Sequence, residues 1–317
     1  MPAKKFIAIS ALALLFTAVL ASGMAGAGDY PARVIKIVVP FPAGGTADVM
    51  PRVIAEWQSR KWGQTVIVEN HTGAGGNIGA EVVAKSEPDG YTLLASPPPP
   101  LVINQNLYPH LEFDPQQFLP IIVMARVPNA LVVNPDHIKD FIAYAQANPG
   151  KITDATQGNG TTSQLTSKMF QMMAHVKLQN VPYRGSAPAL NDLVAGSVDC
   201  MFDNLGVSLQ LKAGRLKLIA VASPQRMTSL PDVPAIAETL PGFESVTWYA
   251  VVAPPRTPAA IIEKVNAGVN QALHLQKRLT DLSAEPVGGT PQETAKYLKQ
   301  EAGRWKNVIT AAHVTLD

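Results

Sequence analysis

Cysteine is almost absent: Cys200 is the single one in 317 residues. The chain therefore carries no intramolecular disulfide framework. Cys200 lies in the apolar run Val198-Asp199-Cys200-Met201-Phe202, where a buried core thiol is expected rather than a nucleophile. Charge is scarce as well. Charged residues are 16% against 47% hydrophobic, a balance that supports a large core and excludes a disordered chain. The formal net charge of +2 equals the contribution of Lys4 and Lys5, so the rest of the chain is near neutral. That excludes an electrostatic case for nucleic acid or an anionic membrane surface as partner. After the first 27 residues no stretch is long and apolar enough to span a bilayer. Reactive motifs are missing too: there is no G-x-S-x-G elbow, no H-E-x-x-H and no P-loop. His71, His110, His137, His175, His274 and His313 are scattered without metal-ligand spacing, and each reads as a lone loop or surface histidine. Gly73 to Gly79 imitates a dinucleotide fingerprint, but its last glycine is one residue too far, and it follows the loop Asn70-His71-Thr72 rather than a strand. No cofactor, no metal and no catalytic residue are expected. Asn159-Gly160-Thr161 matches a glycosylation acceptor, a pattern short enough to arise by chance.

What is present begins with an export signal. Lys4 and Lys5 are followed by an apolar run from Phe6 to Leu20 and by the small residues Ala25-Gly26-Ala27. Residues 1–27 read as a secretory signal cleaved near Ala27, and no cysteine near that site offers a lipid anchor. The remaining length is enough for two domains.

The stretch around which the chain is organised is Lys36 to Arg52, KIVVPFPAGGTADVMPR. Ile37, Val38 and Val39 form a β-branched apolar run, the mark of a buried strand, ended by Pro40 and Pro42. Gly44 and Gly45 permit a tight turn. Thr46 or Asp48 is placed to cap a helix whose apolar face is Met50, Val53, Ile54 and Trp57, with Pro51 in its first turn. A helix N-terminus after a glycine turn suits an anion, although a plain strand-to-helix turn looks the same in sequence. Further strands are expected at Thr65 to Glu69 and Tyr91 to Ala95, with a helix starting at Ile78 between them. Pro97 to Pro100 are expected to form an extended connection.

The opening pattern then recurs. Ile152 to Thr156 is a strand, Gly158-Asn159-Gly160 a glycine turn, and Thr161, Thr162 and Ser163 are N-cap candidates for a helix with an apolar face of Leu165, Met169, Met172 and Met173. Ile138 to Asn148 is a further helix. VPYRGSAP, 181–188, reads as a strand end and loop, with a short helix from Ala189 to Gly196. Strands follow at Val198 to Phe202 and Leu216 to Ser223, and Pro258 to Leu275 and Pro291 to Ala312 are the closing helices. Pro120 to Asn134 and Val246 to Pro254 are candidate crossing strands. The simplest architecture is two α/β lobes of mainly parallel sheet, joined by these two crossovers, each aiming one helix N-terminus into the cleft between them. The polar residues left over, among them Asn159, Ser163, Ser186 and Asn204, fit binding better than catalysis.

The order of motifs resembles the periplasmic solute receptors of tripartite tricarboxylate transporters, the Bug receptor family. The matching pieces are Tyr30-Pro31, VPFPAGGTAD at 39–48, GQTVIVEN at 63–70, GAGGNIGA at 73–80, PDGYTLL at 88–94, NPGKI at 148–152 and GNGTTS at 158–163. They continue with VPYRGSAPALNDLVAGSVDCMFDN at 181–204, LPDVPAIAE at 230–238, WYAVVAPPRTP at 248–258 and Glu301-x-x-Arg304-Trp305. The resemblance implies a two-lobed type II periplasmic-binding-protein fold, with lobe 1 formed by 28–125 plus 246–317 and lobe 2 by 126–245. It implies a monomer without catalysis that captures a small carboxylate and hands it to membrane permease subunits. Carried over to this chain, the ligand residues are Phe41, Ala43, Gly44, Gly45 and Thr46 from the first lobe and Gly160, Thr161 and Thr162 from the second, with Tyr183, Arg184 and Asp203 along the cleft. Asp48 stands either as a capping acid or as an acceptor for a donor on the ligand, and Arg184 either as a bidentate partner for a second carboxylate or as an exposed loop arginine. The chain departs from the family pattern at His71-Thr72, Pro51, Pro97 to Pro100 and Gln164. A sensor docked to a signalling partner and an exported hydrolase are the competing readings; the missing nucleophile elbow speaks against the second.

Overall fold

The computed structural model describes residues 30–134, 140–204, 213–275 and 283–316. The expected signal, His137 and the expected helix start at Ile138 lie outside the described residues. The chain divides into 1–32, of which only Tyr30 to Ala32 are described, and a compact body from Arg33 onward. In chain order that body comprises β1 (Ile35–Val39), α1 (Thr46–Trp62), β2 (Val66–Asn70), α2 (Asn77–Ala84), β3 (Thr92–Ser96), β4 (Leu119–Val133), α3 (Phe141–Ala147), β5 (Thr153–Thr156), α4 (Thr162–Ala174), β6 (Gln179–Pro182), α5 (Ser186–Ala195), β7 (Cys200–Asn204), β8 (Lys217–Val221), β9 (Val246–Ala253), α6 (Ala259–Leu275), β10 (Glu285–Gly288) and α7 (Pro291–Ala311).

The strands form one mixed sheet, in the order β2-β1-β3-β9-β4-β7-β5-β6, with β10 and β8 also paired to β4. Its two flanks are parallel, as the alternation of strands and helices leads one to expect: β1 lies between β2 and β3, and β5 between β6 and β7. The centre is antiparallel, because the two long crossing strands run back along the sheet. Each half thus keeps the expected parallel set, and the crossing strands make the sheet as a whole mixed. β4 is a single strand serving both halves. Its residues Leu119 to Pro128 pair with β9, and Asn129 to Val133 pair with β7 on one side and β8 on the other.

Three expectations change. Pro98 to Pro100 do not form an extended connection. They open a short π-helical segment, Pro99–Ile103, because the first helical turn has no use for the N–H groups that proline lacks. The buried face of α4 runs through Leu165, Met169, Phe170 and Ala174, whereas Met172 is exposed. The short strand β10, with Pro286 inside it, carries no clear strand signal in sequence.

Separate apolar cores fill the two halves. One gathers Val38, Leu94, Ile103, Trp248 and Trp305 beneath α7. Here Glu301 accepts from both indoles, Trp248 Nε1 at 2.8 Å and Trp305 Nε1 at 3.1 Å, while Arg304 pairs with the same carboxylate. The Glu301-x-x-Arg304-Trp305 motif is thus a device for satisfying buried donors. The other half centres on Phe170, whose ring meets Phe141, Phe202 and Phe243 at centroid distances of 5.7, 5.2 and 6.3 Å. Cys200 is buried there as a free thiol.

Asp154 on β5 is fully enclosed, with Cys200 Sγ 3.8 Å from its Oδ1, and its Oδ2 has no partner among the described residues. Burial pushes its carboxyl up to about 7. A carboxyl whose pKa is raised by folding stabilises the fold below its unfolded value and loses that contribution as pH rises through the folded one. Thermal unfolding between pH 4 and pH 8 should therefore show a melting temperature that falls with pH. In Asp154→Asn part of that slope should vanish, with a gain at pH 8 of about 1.4 kcal/mol for each unit separating the two pKa values. An unchanged slope in the variant would contradict this assignment.

Candidate functional site

Three strand-to-helix turns end at one cavity. The first leads from β1 through Pro40 to Gly45 into α1. The N-cap is Gly45, in extended conformation, rather than Thr46 or Asp48. Asp48 instead reaches back to secure the turn. Its carboxylate accepts from the Gly44 N–H at 3.0 Å, from Arg52 Nε at 2.9 Å and from Asn70 Nδ2 at 2.9 Å. Burial pushes the Asp48 carboxyl up, but these bonds outweigh it and hold it below the ordinary range. Asp48 thus neither caps α1 nor lies on the cavity lining; it holds the turn before the helix.

The second turn leads from β5 through Gln157 to Gly160 into α4. Thr161 is the N-cap and accepts from the Gln164 N–H at 3.4 Å. The Gly160 N–H is taken by Gln164 Oε1 at 2.7 Å.

The third turn leads from β6 through Tyr183, Arg184 and Gly185 into α5. This helix begins at Ser186, three residues before its expected start at Ala189, because Pro188 sits in the first turn, where proline is tolerated. Gly185 has φ +114, its N–H donates to Gln157 O at 3.1 Å, and a Cβ there would lie 3.0 Å from Pro42. A side chain at 185 would thus be strained and would crowd the opposite wall.

The first-turn amides of all three helices have no intrahelical acceptor and carry the positive end of the helix dipole. The first helical residues Thr46 and Ala47 of α1, Thr162 of α4, and Ser186 and Ala187 of α5, together with the N-caps Gly45, Thr161 and Gly185, line an inner cavity of about 30 Å³. Phe41, Pro97, Pro99, Gln157, Asn204, Thr247 and Tyr249 complete its wall, and none of the lining residues carries a formal charge. The inner cavity shares Phe41, Pro42, Gln157, Thr161 and Gly185 with an outer chamber of about 410 Å³, which adds Thr72 to Gly76, Tyr108, Asn159, Tyr183 and Arg184.

Of the residues expected from sequence, Phe41, Gly45, Thr46, Thr161 and Thr162 therefore meet at the inner cavity, and Tyr183 and Arg184 at the outer chamber. The Tyr183 hydroxyl donates to Asp192 Oδ2 at 2.7 Å, and burial together with that carboxylate pushes its pKa up to about 12. Ala43, Gly44, Asp48, Gly160 and Asp203 are not on the lining. Asp203 stands one layer behind it, 2% exposed, accepting from Gln157 Nε2, from Ser186 Oγ at 3.3 Å and from the Asn204 N–H at 2.7 Å. Burial pushes its carboxyl up to about 7. Asn204 and Ser186, singled out from sequence as polar residues that fit binding, also reach the inner cavity, whereas Gln157, Ala187 and Thr247 were missed. Gln157 has a signal, since it directly follows a strand, the position at which strands of an α/β sheet present ligand groups.

Comparison with known proteins gives consistent results. The model of the tripartite tricarboxylate transporter family receptor matches residues 50–314. Protein BugT of Bordetella pertussis is 37% identical over 294 residues, 89% of this chain and 90% of that protein. Among solved structures, R. palustris Rpa4515 with adipate superposes with a TM-score of 0.87 at 36% identity, over 90% of this chain and 99% of that one. MatC from Rhodopseudomonas palustris with bound malate superposes with a TM-score of 0.82 at 32% identity, over 88% and 100%.

The role of Asp48 can be checked apart from any ligand. Asp48→Ala leaves the Gly44 amide, Arg52 and Asn70 without their shared acceptor and should cost about 1–3 kcal/mol in urea unfolding. A variant as stable as the parent would show that the turn holds without it.

Proposed function

The chain belongs to the tripartite tricarboxylate transporter receptor family, and we propose that it is a periplasmic solute receptor that captures one small carboxylate at the three helix N-termini and delivers it to the permease subunits of such a transporter. The observation that carries this reading is the convergence of free first-turn amides from α1, α4 and α5 on a cavity with no charged lining residue. Oriented N–H groups at helix ends hold an anion without a cationic side chain. Such a site reads charge through the main chain, with Gly45, Thr46, Ala47, Thr162, Ser186 and Ala187 in contact with the carboxylate and Phe41, Thr161, Asn204 and Tyr249 shaping the wall. Arg184 in the outer chamber suits a second acidic group.

The same reading assigns 28–125 plus 246–317 to one lobe and 126–245 to the other, with the hinge where β4 changes partners beside the start of β9. Opening of the two lobes admits the ligand, and closure is favoured by contacts to both. The bonds from Thr46 Oγ1 to Asn204 Oδ1 (2.7 Å) and between Thr162 and Thr247 (2.9 Å) support a closed arrangement, because each joins residues from opposite halves. The receptor acts as a monomer, turns nothing over and works in the periplasm after removal of the signal.

Titration calorimetry and native mass spectrometry of the mature protein with a panel of small carboxylates test this reading. The expected result is one carboxylate bound per chain and recovered unchanged. Binding confined to neutral or cationic solutes would overturn it. A pH series adds a second expectation. An anion beside Asp203 favours its neutral form, so binding takes up a proton and the dissociation constant should rise between pH 6 and pH 8, by up to about tenfold per unit above the carboxyl pKa. Asp203→Asn should flatten that rise.

A further inference from the structure

The threonine and serine hydroxyl groups on the inner cavity share one arrangement: each has its proton engaged by the protein. Thr46 Oγ1 donates to Asn204 Oδ1 at 2.7 Å, and Asn204 Nδ2 donates to the Tyr249 hydroxyl at 2.8 Å. Thr161 Oγ1 donates to Gly158 O at 2.7 Å. Thr247 Oγ1 donates to Asn129 Oδ1 at 2.9 Å. A hydroxyl has one proton, so in the Thr162–Thr247 contact at 2.9 Å the donor is Thr162. Ser186 Oγ donates to Asp203 Oδ1. That oxygen also receives Gln157 Nε2 and the Asn204 N–H, two donors that occupy its lone pairs, so a proton taken up by the carboxyl group goes to Oδ2 and Ser186 remains the donor.

A hydroxyl whose proton is engaged offers the cavity only lone pairs. Among the described residues no donor reaches Ser186 Oγ or Thr162 Oγ1, so these two oxygens remain open acceptors. The lining thus has two kinds of polar group: main-chain N–H groups that suit a carboxylate, and hydroxyl oxygens that suit a donor. At Ser186 both occur in one residue, its amide at the start of α5 and its Oγ beside it.

Resting on the carboxylate reading above, we infer that the acid taken by this cavity carries a hydrogen-bond donor, a hydroxyl or an ammonium group, on the carbon next to its carboxyl group, and that Ser186 Oγ, held by Asp203, accepts from that donor. An unsubstituted acid brings no donor to the lone pairs of Ser186 Oγ, whose proton is given to Asp203; the substituted acid supplies one. The difference sets a preference of about tenfold or more. Asp203 acts here as a positioning residue, since it fixes the direction of the serine proton and touches no ligand.

The experiment is titration calorimetry of the mature protein with acids matched in length and charge: succinate, malate and aspartate, then propionate, lactate and alanine. Substituted members binding at least about tenfold tighter than their parents support the inference, and malate against aspartate tells hydroxyl from ammonium. Parents binding as tightly as substituted acids overturn it while the receptor reading stands. If none of the six nor any other carboxylate binds, both readings fail. In Ser186→Ala the malate-to-succinate ratio should collapse toward one, and in Ser186→Thr, which keeps the hydroxyl, it should persist; melting curves check that both variants are folded. A full preference retained in folded Ser186→Ala would show that another group is the acceptor.

Discussion

The two halves of the molecule meet at a buried amide. Asn129 is where β4 leaves β9 for β7 and β8, and every polar atom it has is engaged. Its N–H donates to Ser245 O and its carbonyl accepts from the Ala222 N–H. Its Oδ1 accepts from Thr247, and its Nδ2 donates to Thr166 Oγ1 and Ser245 Oγ. Thr166 in turn donates to the carbonyl of Thr162 in the first turn of α4. Such a network is costly when incomplete and rigid when complete. Complete, it fixes one helix N-terminus relative to both crossing strands, so the cavity is defined by the same contacts that join the halves.

Recognition through main-chain amides divides the labour between backbone and side chains. In the proposed reading the anion is held by N–H groups whose positions follow from β1, β5 and β6 and the helices after them. The wall is a set of hydroxyls, prolines and aromatic rings that leaves the amides in place when it varies. Pro97 and Pro99 contribute a face with no donor at all. The family's spread of carboxylate ligands, adipate for one relative and malate for another, agrees with that division.

Much of this was legible from the residues. The run Ile37 to Val39, the glycine turn and the periodic Met50, Val53 and Ile54 mark β1 and α1 because each local preference agrees with its tertiary setting. The repeat of that pattern at Ile152 to Leu165 exposed the second turn. The third escaped because Arg184-Gly185-Ser186-Ala187-Pro188 has the composition of a loop, and only the tolerance of a first turn for proline makes a helix of it. Pro97 to Pro100 misled for the same reason. Asp203 belongs to the apolar run of β7, and its place behind Gln157 and Ser186 depends on contacts between strands distant in sequence. Thr247 reaches the cavity the same way, so no local pattern reveals it.

The path of β4 also governs how the chain comes to be folded. Its first half waits for β9 and β10, and its second half for β7 and β8, all made later. The core beneath β1 and β3 closes only when Trp248 and Trp305 arrive. Pairings so far apart in sequence make assembly slow, because loops must close before contacts repay them. The core over β1 and β3 is therefore completed only by the last part of the chain. The end of the chain is thus as much a part of the first half's core as its beginning.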